Sequence, residues 1–284
     1  MNSYARVGAI FAMAGFVAPA SGTIINLSNV PDLSQHSGGS WANYCGPTNG
    51  SNVAYYFGQT YSGLVPGDTF PFASSSAADA IIAGASSPPP VLGSMAQRMS
   101  TTVAGGTTGN NLRDGLDLYL EDNYDATPGG TNWTTDYHDA AGLTGSGFWA
   151  LLQNEIANGS GIILLIAWTG GIPGGYDVPE DYSAGISATS AMGHAVTMTG
   201  FDTNITPFMH INDPANNGGS AHNFGGEGAA YGVTINPTSL GITLSGSNAT
   251  IYGAVITNIP TPGAMSLLGL AGLFTLRRRR RAEA

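Results

Sequence analysis

The sequence of 284 residues predicts an α+β domain in which helices come first and an antiparallel sheet follows. Three observations predict it. Apolar residues recur at helical spacing in the segments before Gly159. After Gly159 they change to short runs bounded by Gly, Asp, Asn or Pro. A hydrophobic content of 42% is enough to bury a sizeable core. No internal repeat is present, and one domain over residues 21–259 is expected.

Element by element, the alternating stretch Thr23 to Val30 reads as a first strand, and Pro31 to Asn43 is rich in turn residues. Gly46 to Phe57 combines small residues with Val53, Tyr55, Tyr56 and Phe57, which suits a helix that ends at Gly58 and has Cys45 at its N-terminus. Residues 59–110 are dominated by Ser, Thr, Gly and Pro and read as excursions on the same domain. Helices follow at Leu112 to Asn123 and at Gly147 to Asn158, the latter with Phe148, Leu151, Leu152 and Ile156 on one stripe. Ile162 to Trp168 is a continuous apolar run suited to a buried strand, and Gly170 to Ser190 is a glycine-bearing loop. Further strands are expected at Ala195 to Phe201, Phe208 to Asn212, Tyr231 to Ile235 and Thr250 to Ile256.

Charge narrows the partners. The eight basic residues are all arginine, and residues 21–259 hold 17 acids against 2 arginines, a net charge of −15. So acidic a body repels phosphate backbones, which argues against nucleic acid and anionic lipid as partners of the folded part. Charged residues make up only 9% of the chain, well under the usual ~25%, so the surface is polar rather than charged. The single cysteine, Cys45, cannot form an internal disulfide.

Both ends carry targeting features. Residues 1–20 read as a signal peptide, with Arg6 as its basic start, Val7 to Val17 as its apolar stretch and Ala18-Pro19-Ala20 as its cleavage site. At the other end, Pro260-Thr261-Pro262-Gly263 precedes an apolar run from Ala264 to Leu276 and the arginines Arg277 to Arg281. As a helix that run reaches about 20 Å, against a hydrocarbon core of ~30 Å, with its arginines held on the cytoplasmic side. Residues 260–284 resemble the PEP-CTERM sorting signal of Gram-negative bacteria, with Thr261 where that family prefers glutamate. The resemblance implies an exosortase-like sorting enzyme as a partner. It also implies membrane contact through the C-terminal helix before processing, and a protein exported to the cell surface or the extracellular space while only transiently anchored.

Cys45 is the natural centre for chemistry. A thiol nucleophile needs to be a thiolate, needs a histidine to exchange its proton, and needs an acceptor that orients the histidine. A helix N-terminus favours negative sulfur, and Gly46-Pro47 suits a first turn because proline loses no hydrogen bond there. Among His36, His138, His194, His210 and His222, His194 stands at the head of a strand with Gly193 and Ala195 on either side. An antiparallel hairpin across Asp202 to Pro207 brings Asp213 back beside His194, with Asn212 as the alternative acceptor. His210 and His222 lack the close spacing of a two-histidine metal site. The acids Asp114, Asp117, Glu121, Asp122 and Asp125 read as a solvated helix face. Neither a metal nor a cofactor is called for.

These pieces, Cys45-Gly46-Pro47-Thr48, Gly193-His194, Gly200-Phe201-Asp202 and Asn212-Asp213-Pro214, resemble the papain-like cysteine peptidases of the bacteriocin-processing, double-glycine peptidase-like type. The resemblance spans residues 28–216. It implies a papain-like fold, a helical layer with the nucleophile at a helix N-terminus packed against an antiparallel sheet. It also implies peptide or protein substrates and peptide-bond hydrolysis by a Cys45-His194-Asp213 triad. Val30-Pro31-Asp32-Leu33-Ser34-Gln35 resembles the family's lead-in to its oxyanion glutamine, which makes Gln35 the expected oxyanion donor, with Trp41 and Asn43 as the nearby alternatives. A catalytically idle surface or matrix module, and an acyl transferase or transpeptidase, are compatible with the same residues.

Overall fold

The computed structural model describes residues 23–33, 44–61, 64, 82, 93–102, 106–123, 133–169, 193–204, 207–214, 231–244 and 246–258. The expected signal peptide, the segment bearing Gln35, His36, Trp41 and Asn43, the loop 170–190, His222 and the tail 260–284 lie outside them. In chain order the elements are β1 (Ile24–Asn26), α1 (Cys45–Gly58), α2 (Met95–Arg98), α3 (Gly109–Asn123), β2 (Thr134–Asp139), α4 (Gly145–Ala157) and β3 (Gly161–Trp168). Then come β4 (Gly193–Asp202), β5 (Phe208–Asn212), β6 (Tyr231–Asn236), β7 (Gly241–Leu244) and β8 (Ser247–Asn258). No helix among the described residues is long and apolar enough to cross a membrane.

The chain is α+β and its sheet pairs are antiparallel, as the sequence predicts. The expected papain-like layout of a helical layer on an antiparallel sheet is not clearly what forms, because the sheet closes on itself. The order β4-β3-β8-β7-β6-β5 returns to β4 through the β4–β5 pairing, so six strands close into a barrel. β1 continues the β3 side of β4 at Gly200 to Asp202, and β2 continues the β7 side of β8 at Gly253 to Asn258. The cause of closure is β7, a four-residue strand that the sequence reading passes over. It pairs with β6 at Ile235↔Ile242 and with β8 at Ile242↔Ala249, and so joins two strands that otherwise lack a bridge.

β3 divides the core in two. Its residues alternate in direction while all of Gly161 to Ile166 are buried, because each face has a cover. Ile162, Leu164 and Ile166 point into the barrel with Val196, Met198, Ile211, Val233 and Ile256. Phe148, Trp149, Leu152 and Ile156 of α4 complete that cluster. Ile163 and Leu165 point outward, with Ala195 and Val255, against Val53 and Phe57 of α1 and Leu112, Leu116 and Leu120 of α3. A continuous apolar run is thus the signature of a strand covered on both sides. α1 lies close on β3 because Gly161 has no side chain. A Cβ there would stand 2.6 Å from Val53 Cγ1, so the glycine sets the helix-to-sheet distance at the end of the element that carries Cys45.

The limits of other elements differ for local reasons. The first strand stops at Asn26, and Asn29 turns the chain with φ of 62°, a left-handed value that asparagine tolerates. α4 begins two residues before the expected Gly147 because Thr144 caps it, its hydroxyl accepting from the Gly147 N–H at 3.1 Å.

Candidate active site

Cys45 is the first residue of α1, after Tyr44, whose side chain makes no capping bond. The opening N–H groups of the helix are left to whatever occupies its end. One of them, Gly46 N–H, donates to the Cys45 sulfur, as does Ala195 N–H from β4. Pro47 interrupts nothing, since the first intrahelical bond is that of Thr48 N–H to the Tyr44 carbonyl at 3.0 Å.

His194 stands beside this sulfur at the start of β4. The β4–β5 register, with Thr197 opposite Asn212, carries Asp213 back to the same end of the barrel. His194 Nε2 meets Asp213 Oδ1 at 2.7 Å, and the ring also hydrogen-bonds Cys45, which leaves Nδ1 for the sulfur. Asp213 is wholly buried and His194 is 7% exposed, so water competes little for either bond. Trp168, at the end of β3, stacks on the imidazole with ring centroids 6.2 Å apart and planes 19° apart, closing one face of the ring.

Electrostatics follow from these contacts. Burial resists ionisation of the thiol. It is outweighed by the hydrogen bond and charge of His194 and by the N–H groups of Ala195 and Gly46, so the Cys45 pKa lies below its ordinary value. Burial likewise disfavours a charged imidazole and is again outweighed, chiefly by the charge and hydrogen bond of Asp213 and then by Cys45, so His194 is pushed up to about 10. Both shifts favour passage of the thiol proton to the imidazole, leaving a negatively charged sulfur beside a charged ring. Such a sulfur is nucleophilic while its neighbour holds a proton ready to give.

Asn49 fixes the distance between the two elements, a role the sequence reading does not assign. Its Nδ2 donates to the Cys45 carbonyl and to the Ala195 carbonyl, each at 2.8 Å, and its Oδ1 accepts from Thr197 Oγ1 at 2.5 Å. One carboxamide therefore ties Cys45 to the residue after His194. Thr197 Oγ1 also accepts from Asn52 Nδ2 at 3.2 Å, and Asn52 Oδ1 accepts from the Leu33 N–H at 3.1 Å. The available signal was a run of polar residues, Thr48, Asn49, Ser51 and Asn52, in a helix whose other residues are apolar or small; all four are fully buried.

Of the other residues singled out from sequence, Asn212 does not turn toward His194. Its Nδ2 donates to the carbonyls of Val30, at 3.2 Å, and Pro31, at 2.8 Å, and so pins the lead-in segment to β5. Asp32 is buried next to it. Gln35 lies beyond the described part of that segment. His210 sits on β5 with its ring edge-on to Phe208 at 5.5 Å, and His138 sits on β2. The acids of α3 are divided: Asp114 pairs with Arg113 at 2.6 Å, and Asp122 pairs with Arg98.

A family model described as Peptidase_C39 like family matches residues 27–228, more than two thirds of the chain and all three of Cys45, His194 and Asp213. No curated protein matches the sequence.

Proposed function

Because the chain belongs to the Peptidase_C39 like family, a family of cysteine peptidases, we propose that it hydrolyses peptide bonds with Cys45 as nucleophile, His194 as acid and base and Asp213 as the orienting carboxylate. The observation that carries this reading is the continuous hydrogen-bonded line from the sulfur through the imidazole to a wholly buried carboxylate.

The Cys45 thiolate attacks the scissile carbonyl carbon. As the C–S bond forms, the carbonyl π electrons move to oxygen. His194 gives its Nδ1 proton to the departing amine, the C–N bond breaks, and an acyl-enzyme remains. Asp213 accepts from Nε2 throughout, which keeps the ring oriented and stabilises its positive charge. His194, now neutral, takes a proton from water, whose oxygen attacks the thioester carbon; the C–S bond breaks, the acid leaves, and the Cys45 thiolate and the protonated His194 are restored. The oxyanion has the Cys45 backbone N–H as one donor, since the first residue of a helix has no intrahelical acceptor for it. Gln35 is the second donor by resemblance to the family. Export through residues 1–20, and sorting through the PEP-CTERM-like tail by an exosortase-like enzyme, complete the proposal and place the peptidase at the cell surface or outside it.

The test is turnover of a peptide mixture, read by mass spectrometry. Cys45→Ala and His194→Ala each abolish cleavage, and their combination costs little more because the members act as one unit. Cleavage that survives Cys45→Ala refutes the reading.

A further inference from the structure

β8 contains an irregularity next to the site. Leu165 of β3 lies opposite Gly253, whereas the next residue, Ile166, lies opposite Ile251. Tyr252 is thus the extra residue of a β-bulge, and among the described residues it has no partner on β3, β7 or β2. Ile251 and Ala254 both point into the barrel, so the two residues between them, Tyr252 and Gly253, both fall on the outer face. That face carries α1 and Cys45. A regular strand could not place two consecutive residues there.

The bulge aims the phenol at the histidine strand. The Tyr252 oxygen stands 3.2 Å from the point a Cβ would occupy on Gly193, the residue before His194. Gly253 makes room for a second ring: a Cβ on it would lie 2.9 Å from Tyr137 Cε2 and 3.0 Å from the Tyr137 hydroxyl. Tyr252 is 39% exposed, and Cys45 is itself partly exposed.

We infer that Tyr252 is a substrate-contact residue of this peptidase: its O–H donates to a peptide carbonyl of the bound chain, next to the bond that Cys45 attacks. The inference rests on the peptidase reading and extends it to the outer face beside Gly193 and His194. Position and protonation both suit a donor: the Tyr252 oxygen faces Gly193, the residue before His194, and lies near enough to Cys45 to feel its charge. Burial, with the neighbouring Tyr137 and Cys45, also pushes the phenol up to about 12, so it keeps its proton across the range in which the ion pair exists.

The experiment compares two thiol reagents on the full chain. Methyl methanethiolsulfonate reports the sulfur alone, and a panel of tripeptidyl chloromethyl ketones reports the sulfur together with peptide recognition. Tyr252→Phe, which removes only the hydroxyl, slows inactivation by the best peptidyl ketone roughly three- to tenfold, the worth of one neutral hydrogen bond, and leaves the rate and pH midpoint of the small reagent unchanged. Equal rates for both reagents in variant and parent overturn the inference. A parallel loss with both also overturns it, because the hydroxyl then acts on the thiol. Failure of the peptidase reading looks different and shows in the parent protein: no peptidyl ketone reacts faster than chloroacetone, and the assignment of Tyr252 falls with it.

Discussion

Replacing Asn49 by alanine tests whether the carboxamide that joins α1 to β4 serves catalysis or only the fold. The change removes two donated bonds of 2.8 Å and one accepted bond, all at a site with no exposure. At about 0.5–1.5 kcal/mol for each bond, the loss is about 2–4 kcal/mol, out of a typical total of ~5–15 kcal/mol. The domain remains folded and its urea midpoint falls. The Ala195 carbonyl is freed from the helix, and the Ala195 N–H, which donates to the sulfur, is freed with it. The Cys45 and His194 groups then separate, and the thiol pKa returns toward its ordinary ~8.5. The assay is iodoacetamide labelling of the folded protein across pH, beside urea unfolding. An upward move of the labelling midpoint together with lost stability supports a positioning role, and Asn49→Gln does not restore it, because the longer arm cannot reach both carbonyls. Lost stability with an unmoved midpoint would falsify the positioning argument and leave Asn49 a fold residue.

Asp213→Ala lowers kcat strongly, while Asp213→Asn loses less because an amide oxygen still accepts from Nε2; an Asp213→Ala variant with parental turnover refutes the orienting role. kcat/KM rises with pH through the lowered thiol value and falls as pH passes about 10, where His194 loses the proton that the leaving amine needs. In Asp213→Asn the descending limb moves to lower pH, since the Asp213 charge is the chief influence raising His194, and a limb that stays in place contradicts this. The raised pKa of His194 has a matching effect on stability: its contribution is complete below the ordinary histidine value of ~6.5 and is lost as pH climbs through about 10, which urea midpoints of the parent protein across pH will show. Gln35→Ala slows turnover roughly a hundredfold or more without altering Cys45 labelling, and a loss under about threefold moves the donor to Asn43 or Trp41. Mass spectrometry of the surface protein finds a C-terminus near Pro262, and recovery of Arg277 to Arg281 on the mature chain refutes tail processing.

The contrast between what sequence revealed and what it hid has physical causes. α4 was legible because its apolar residues recur at helical spacing, α1 from its small residues and apolar cluster ending at Gly58, and β3 from its unbroken apolar run. The meeting of His194 with Asp213 was legible because a hairpin of known length fixes which residues face each other. β2 was not: Thr134-Thr135-Asp136-Tyr137-His138-Asp139 is polar on both faces and is held as a strand by the backbone of β8 rather than by its own pattern. β7 was too short to carry a period, and with it went the barrel. Asn49 and Trp168 were missed for another reason. Their roles depend on where two separate segments meet, and neither residue type carries that information by itself. The bulge at Tyr252 is invisible to a period-two reading, since it is the place where the period fails.

Closure of the barrel also bears on how the protein keeps apart from its neighbours. An open antiparallel sheet ends in two strands whose N–H and C=O groups face solvent and can recruit a strand from another chain. Here β3, β4 and β8, the three longest strands, have neighbours on both sides, and β1 and β2 are the strands at the margins among the described residues. β1 is three residues long, and β2 carries Asp136 and Asp139. Neither offers much to a foreign strand. Ring closure thus guards against strand-to-strand association through topology, and Cys45, at the start of the helix packed against the outside of the ring, does not lie on an adhesive edge.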